Sequence, residues 1–401
     1  MGQHLKLDKS VAVGMEIAGG RASIALVDRD GRVRQRCYAK TLWGRPAAAT
    51  LEPYLRAIDT MLDYAHAEGF HVCGLGVCIP GSLDQTSRRP FLIPTLPSLN
   101  GFPLCDLLEA RYSLPTRLHV DVDAALLGEY RFGFGAGKDF RRLLFLTVNA
   151  VVGAALVVDG ELERSQQYVG HVSHMLVSAN GPRCSCGQRG CINTLISMDT
   201  LQKMVQRALR RGEQTSLTQR LSNREYFSLQ LLAEEAVQGD SVALQVYTEV
   251  GRWLGAAVAK YIGIFAPDAL ILGGSVLSAS ELLLAQVRST LMTHSSPEVD
   301  SMVEIVPACL GADAALIGAV VPLLPNKLPQ AARRSIQAAD ISRRERRGGR
   351  HAQPRKSYHR QAGYAQRINT GDPPLLVAEP QLLPSYYPDV SEAEESLGDA
   401  S

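Results

Sequence analysis

No stretch of this 401-residue chain carries the roughly eighteen consecutive apolar side chains that a membrane-spanning helix requires, although 46% of its residues are hydrophobic. The N-terminus lacks the basic-then-apolar layout of a secretory signal, and Lys6 stands where a myristoylation motif after Met1-Gly2 wants serine or threonine. Excess charge of one sign is missing as well, since the formal net charge is only +2. Nor do most cysteines fall in pairs. Cys37, Cys73, Cys78, Cys105 and Cys309 are scattered, mostly among apolar neighbours, as reduced and buried thiols are. Together these absences predict a cytoplasmic protein with no membrane partner.

The small net charge hides an uneven distribution. From Asn326 to Thr370 there are about twelve Lys and Arg against two acids, and from Gly371 to Ser401 acids alone. Periodicity is lost beyond Pro325, where Arg, Gln, Gly and Pro dominate, so residues 326–401 are expected to form a disordered tail, basic and then acidic. Its basic half either attracts nucleic acid or an acidic protein or is simply solvated. The length that remains suffices for two ordinary cores.

Val11, Val13 and Met15 alternate as a first strand and lead across Gly19-Gly20 into a second, Ile24–Asp28, and Asp30-Gly31 turns the chain into a third. Leu51, Leu55, Ile58, Met61 and Leu62 share one face of a helix over 51–66. Val72–Ile79 is an apolar strand closed by Pro80-Gly81, and Leu104–Tyr112 an amphipathic helix. Leu118–Val120 is a strand stub before a helix expected to start at Ala124 with Asp123 as its cap. Strands at 143–146 and 154–158, with a turn at Asp159-Gly160, restart the hairpin-led pattern near Arg141. Helices follow at 198–211, 229–238 and 241–265, then the strand Ala269–Leu272 running into Gly273-Gly274, a helix over 281–292 and a last apolar helix over 314–321. This duplication predicts two α/β lobes, 1–125 and 126–325.

His174, Cys184, Cys186 and Cys191 lie in a single loop, 174–191, with glycines at its bends. They supply four soft or borderline ligands for a closed tetrahedral site, which suits Zn²⁺; buried thiols or a disulfide are the alternative. With no coordination position left open, such a zinc would order the loop and not catalyse.

Ser173-His174, followed ten residues later by Cys184-Ser185-Cys186-Gly187-Gln188-Arg189-Gly190-Cys191, resembles the zinc signature of the ROK family (repressors, open reading frames, kinases). The family pattern is Gly-His and then Cys-x-Cys-Gly-x-x-Gly-Cys. The resemblance runs from roughly Val11 to Leu324. It implies the actin-like, RNase H-like sugar kinase fold, two α/β lobes with a cleft between them, in which the last helix packs back on the first lobe. It also implies a homo-oligomer that binds a small sugar or sugar derivative.

The same resemblance assigns site positions and exposes departures from the family's kinases. Their first phosphate loop, Asp-x-Gly-Gly-Thr, matches Glu16-Ile17-Ala18-Gly19-Gly20. Their second, Gly-Thr-Gly-x-Gly-Gly-Gly, matches Asn149-Ala150-Val151-Val152-Gly153-Ala154-Ala155, where Gly153 alone survives and valines stand where phosphate oxygens would meet backbone amides. Val151 and Val152 read more simply as strand packing. Gly273 and Gly274 resemble the adenosine-side turn. On the sugar side Asp121 aligns with the catalytic base, its alternative being a helix-capping role. Thr95, His171 and Asn193 stand at further sugar-contact positions, each exchanged from the family's residue.

An intact zinc loop beside eroded phosphate loops resembles the family's repressors, which sense sugar without phosphorylating it. Those carry an N-terminal winged helix, for which the residues ahead of Val11 leave no room. The first expectation is therefore a sugar-sensing or regulatory protein. The second is an ATP- and Mg²⁺-dependent kinase of a hexose or N-acetylhexosamine with Asp121 as base, and the third an interaction scaffold that uses the basic tail.

Overall fold

Two five-stranded sheets are built on one plan. In the first, β1 (Ser10–Ala18), β2 (Arg21–Asp28) and β3 (Val33–Lys40) form an antiparallel meander, and β4 (His71–Ile79) lies parallel to the other edge of β1. A small ribbon of β5 (Ser82–Asp84) and β6 (Arg89–Leu92) intervenes before β7 (Thr116–Val120) completes the order β3-β2-β1-β4-β7. The second sheet repeats these directions with β8 (Arg142–Val148), β9 (Val152–Val158), β10 (Glu161–Leu162), β11 (Ala269–Gly273) and β12 (Glu304–Pro307), in the order β10-β9-β8-β11-β12. This computed structural model describes residues 9–325 except 19, 85–87, 94, 150, 164–171, 223–226 and 295–302. These all fall in the first of two compact units, Met1–Arg333; the expected tail, 326–401, lies outside the described residues.

The central strand β1 is apolar on both faces because both are covered. Val11, Val13, Met15 and Ile17 pack with Leu51, Ile58 and Met61 of α1 (Ala47–Ala67), whereas Ala12 packs with Leu316, Ile317 and Val320 of the last described helix, α10 (Ala314–Val320). At the β2–β3 hairpin, Gly31 has φ +79°, and the buried Asp28 carboxylate accepts the amides of Asp30 and Arg32, each at 2.9 Å.

The helix after β7, α3 (Asp121–Phe132), begins three residues earlier than its sequence suggests. Val120, the last extended residue, takes the cap position, and Asp121 and Asp123 both lie in the first turn, where Asp121 Oδ1 accepts the Val122 amide at 2.8 Å. The strand feeds the helix with no loop between, so Asp123 has no cap position to fill. Carboxylates in the first turn still favour the helix through its dipole.

Glycine lets α10 lie against both α3 and the first sheet. A Cβ on Gly318 would sit 1.6 Å from the Ala124 carbonyl, and one on Gly76 of β4 would sit 2.3 Å from that of Ala319. Beside this crossing the fully buried Glu129 accepts the Leu310 amide at 2.6 Å, and Arg131 donates to the Val321 and Pro325 carbonyls, both at 2.8 Å.

Among the described residues the remaining helices are α2 (Leu104–Tyr112), α4 (Ile192–Leu195), α5 (Met198–Arg210), α6 (Leu217–Ser222), α7 (Leu229–Val237), α8 (Ser241–Phe265) and α9 (Ser280–His294). The long α8 supplies much of the second core. Its Tyr261 hydroxyl donates to the Val172 carbonyl at 2.9 Å, just ahead of the 174–191 loop, and its Lys260 ammonium donates to the Leu176 carbonyl within that loop at 2.6 Å. Among the described residues no helix is long and apolar enough to cross a membrane.

Candidate functional site

Ligands of open α/β sheets collect at the carboxyl ends of parallel strands. There, in the first lobe, β1 carries Glu16 opposite Cys78 of β4, and β7 runs directly into Asp121. Burial raises the Glu16 carboxyl to about 7, reinforced by the charges of Asp121 and Asp313 and opposed by Arg36 and Arg21. Burial raises Asp121 to about 6, against the Val122 amide that donates to it at 2.8 Å. The buried Cys78 thiol is pushed well up by burial and then by both carboxylates. Two carboxyls that change protonation near neutral pH can take or return a proton, or hydrogen-bond a hydroxyl.

Arg36 and Asp313 escaped the sequence reading. They meet at 2.7 Å from β3 and from the threshold of α10, and no local pattern joins residues so far apart in the chain. The faint signal was one acid at the start of an otherwise apolar helix. Thr95 is half-buried between β6 and the short turn Pro97–Leu99, and Gly20 lies open just after β1. Gly19 and His171 lie outside the described residues.

In the second lobe the β8–β9 turn faces the end of β11. Val152 is buried in the core, as strand packing requires, but Val151 is 55% exposed, which corrects the packing reading for that residue. Being at the turn and not in the strand, it projects outward. Asn193, on α4, accepts the Val152 amide at 3.3 Å, and Asn149 accepts the Ser275 amide at 2.8 Å while donating to Thr147 Oγ1 at 3.2 Å. Two main-chain donors that face this side are therefore already bonded. Gly273 and Gly274 are demanded by packing: a Cβ would come 2.4 Å from Phe145 Cζ at the first and 2.4 Å from the Val148 carbonyl at the second, where φ is +95°. Gly153 is less constrained, its nearest contact being Thr147 Cγ2 at 3.2 Å.

The loop 174–191 folds so that one donor atom each from His174, Cys184, Cys186 and Cys191 lies within 4.8 Å of the others. His174 Nδ1 is 3.3 Å from Cys184 Sγ, and the sulfurs of Cys186 and Cys191 are 3.6 Å apart. Bonds of about 2.3 Å to sulfur and 2.0 Å to nitrogen put the ligands of a tetrahedral zinc between 3 and 4 Å apart, so the spacing fits one such ion. Backbone geometry fixes the loop. The Cys184 amide bonds the Gln188 carbonyl at 2.8 Å and Gly187 bonds back to Cys184 at 3.0 Å. Gly190 has φ +68°, and a Cβ there would come 1.5 Å from the Ser178 carbonyl. Burial and the neighbouring thiols push Cys191 up to about 12, whereas hydrogen bonding led by the Gln188 backbone lowers the exposed Cys186. Bound to a cation the three cysteines would serve as thiolates, and with four protein donors no position would stay open for a substrate.

Comparison with known proteins agrees with this architecture. The chain is 29% identical to a glucokinase of Thermotoga maritima over 78% of its own length and 97% of that enzyme. It is 24% identical to a xylose repressor of Bacillus subtilis over 77% of its length and 75% of the repressor's. The solved structure of a ROK family transcriptional regulator, a homolog of the E. coli MLC protein, superposes with a TM-score of 0.69 at 22% identity, covering 79% of this chain and 78% of that one, and so shares the fold. The ROK family model matches residues 12–324, and on that match, with the duplicated two-sheet architecture, the chain belongs to the ROK family.

Proposed function

We propose that this ROK protein is a sugar-sensing or regulatory protein that binds a small sugar and does not phosphorylate it. The observation that carries the reading is the turn at 149–152. The Val152 and Ser275 amides are spent on Asn193 and Asn149, and the Val151 side chain stands out to solvent. A nucleotide phosphate would have to displace both bonds, each worth about 1 kcal/mol, before gaining any of its own. The ligand would lie at the carboxyl ends of β1 and β7 with Asp121 as its hydrogen-bonding carboxylate; Thr95, Asn193 and His171 are the further contacts proposed. Relatives named for glucose phosphorylation and for xylose repression support a sugar as ligand. His174, Cys184, Cys186 and Cys191 would hold a structural Zn²⁺, and the working form would be a cytoplasmic homo-oligomer.

A second reading has its own observation. Carboxyls raised to about 7 and 6 at Glu16 and Asp121 suit a general base beside an ATP-Mg²⁺ site, so a divergent sugar kinase is the alternative. Thermal shift with ATP-Mg²⁺ and with a panel of monosaccharides, each added alone, separates the two. A sugar at a hundred times its Kd should add about 2.7 kcal/mol of stability, and ATP-Mg²⁺ none. Stabilisation by ATP-Mg²⁺ with a phosphorylated sugar as product, abolished in Asp121→Asn, would overturn the sensing function. Silence with every sugar would leave the scaffold that works through its basic tail.

A further inference from the structure

We propose that Asn193 is a positioning residue that ties the 149–152 turn to the Cys/His loop, so that the segment which gathers the metal donors also keeps that turn closed to anions. The inference rests on the non-phosphorylating function and adds its control.

The connection is short and stiff. Cys191 is the last extended residue before α4, and Asn193 follows two residues later. Ile192 between them is fully buried, and its amide donates to the Met175 carbonyl at 2.9 Å. The Thr194 hydroxyl donates to the Cys191 carbonyl at 2.8 Å, and the Thr200 hydroxyl to the Thr194 carbonyl at 2.6 Å. The backbone of Asn193 therefore moves with the cysteine at the cluster. At the other end its Oδ1 holds the amide of Val152, a residue anchored in the core and paired with Val148 across the hairpin. Asn149 holds the neighbouring Ser275 amide but sits within the turn itself, so it cannot report the state of the loop. Asn193 alone bridges the two among the bonds described. Without a cation nothing joins all four donors at one centre, the loop loosens around Cys191, and the Val152 amide is released.

Amide hydrogen exchange on the full chain tests this. Zinc per chain is counted first, and a value well below one removes the link. In wild type, removing zinc with a chelator should speed exchange at Val152 about fivefold or more, the loss expected of one ordinary hydrogen bond, with Leu144 and Ile271 in the central strands unchanged. Asn193→Ala should exchange fast at Val152 already in the zinc-loaded protein and respond no further. Asn193→Asp keeps an acceptor oxygen and should restore the response. An unchanged Val152 after chelation, equal acceleration in the central strands, or a response that survives in Asn193→Ala each overturns the proposal. If Asn193→Ala does not fold, the wild-type chelation result still decides it. ATP turnover measured on the same samples bears only on the non-phosphorylating function and leaves the exchange result intact.

Discussion

Glu16 and Asp121 hold their protons in the folded chain at pH values where an unfolded chain has released them. Their contribution to stability is full below about pH 4 and is lost as pH rises through 6 and 7. Discounted for partial exposure, the pair together should be worth about 2 kcal/mol. The double variant Glu16→Gln/Asp121→Asn, which cannot ionise there, should therefore gain about that much on wild type between pH 5 and pH 8 in urea denaturation. Parallel curves would mean two ordinary surface carboxyls. At the metal cluster, Cys184→Ser exchanges a buried soft donor for a hard one and should bring zinc below one per chain. Its Tm should fall by roughly 5 °C or more, since 1 kcal/mol moves Tm by about 2–4 °C in a lobe-sized domain of about 150–250 residues. Full zinc with an unchanged Tm would show that Cys184 is only a packed thiol.

Along α8, glycines mean opposite things at different positions. Gly255 meets α9, where a Cβ would come 2.7 Å from Thr290 Cβ and 2.8 Å from the Val287 carbonyl, whereas Gly263 is exposed with nothing within 4 Å. Gly255→Ala should cost about 1–3 kcal/mol by overpacking, and Gly263→Ala should gain about 0.5–1 kcal/mol from helix propensity alone. Equal effects in a denaturant titration would show that the α8–α9 contact is loose. In α10 the constraint is tighter still: Gly318→Ala drives a methyl into the Ala124 carbonyl and should disrupt the crossing with α3, read as a loss of cooperative melting.

At the scale of the molecule, the last contacts in chain order among the described residues are Leu324, buried in the α10 cluster, and the Pro325 carbonyl held by Arg131. A chain ending at Asn326 should melt as cooperatively as the full one, while one ending at Pro322 should lose several °C of Tm; the reverse would place a stabilising contact in the tail. The duplicated hairpins, the helices Leu104–Tyr112 and Ser241–Phe265, and the gathering of His174, Cys184, Cys186 and Cys191 in one loop were all legible in the sequence. Alternation, turn residues and close ligand spacing are local properties that the chain carries wherever it folds. The start of α3 at Asp121 was not legible, because a parallel strand running straight into a helix leaves no turn to mark it. Nor were the Arg36–Asp313 pair, the bonds from Asn193 to Val152 and from Asn149 to Ser275, or the glycines beneath α10. Each joins residues tens to hundreds of positions apart. The residue types and their local periods set what the strands, helices and metal donors are; sheet order and helix crossing, which exist only once the chain is packed, decided which amides were free and which carboxyls were forced together.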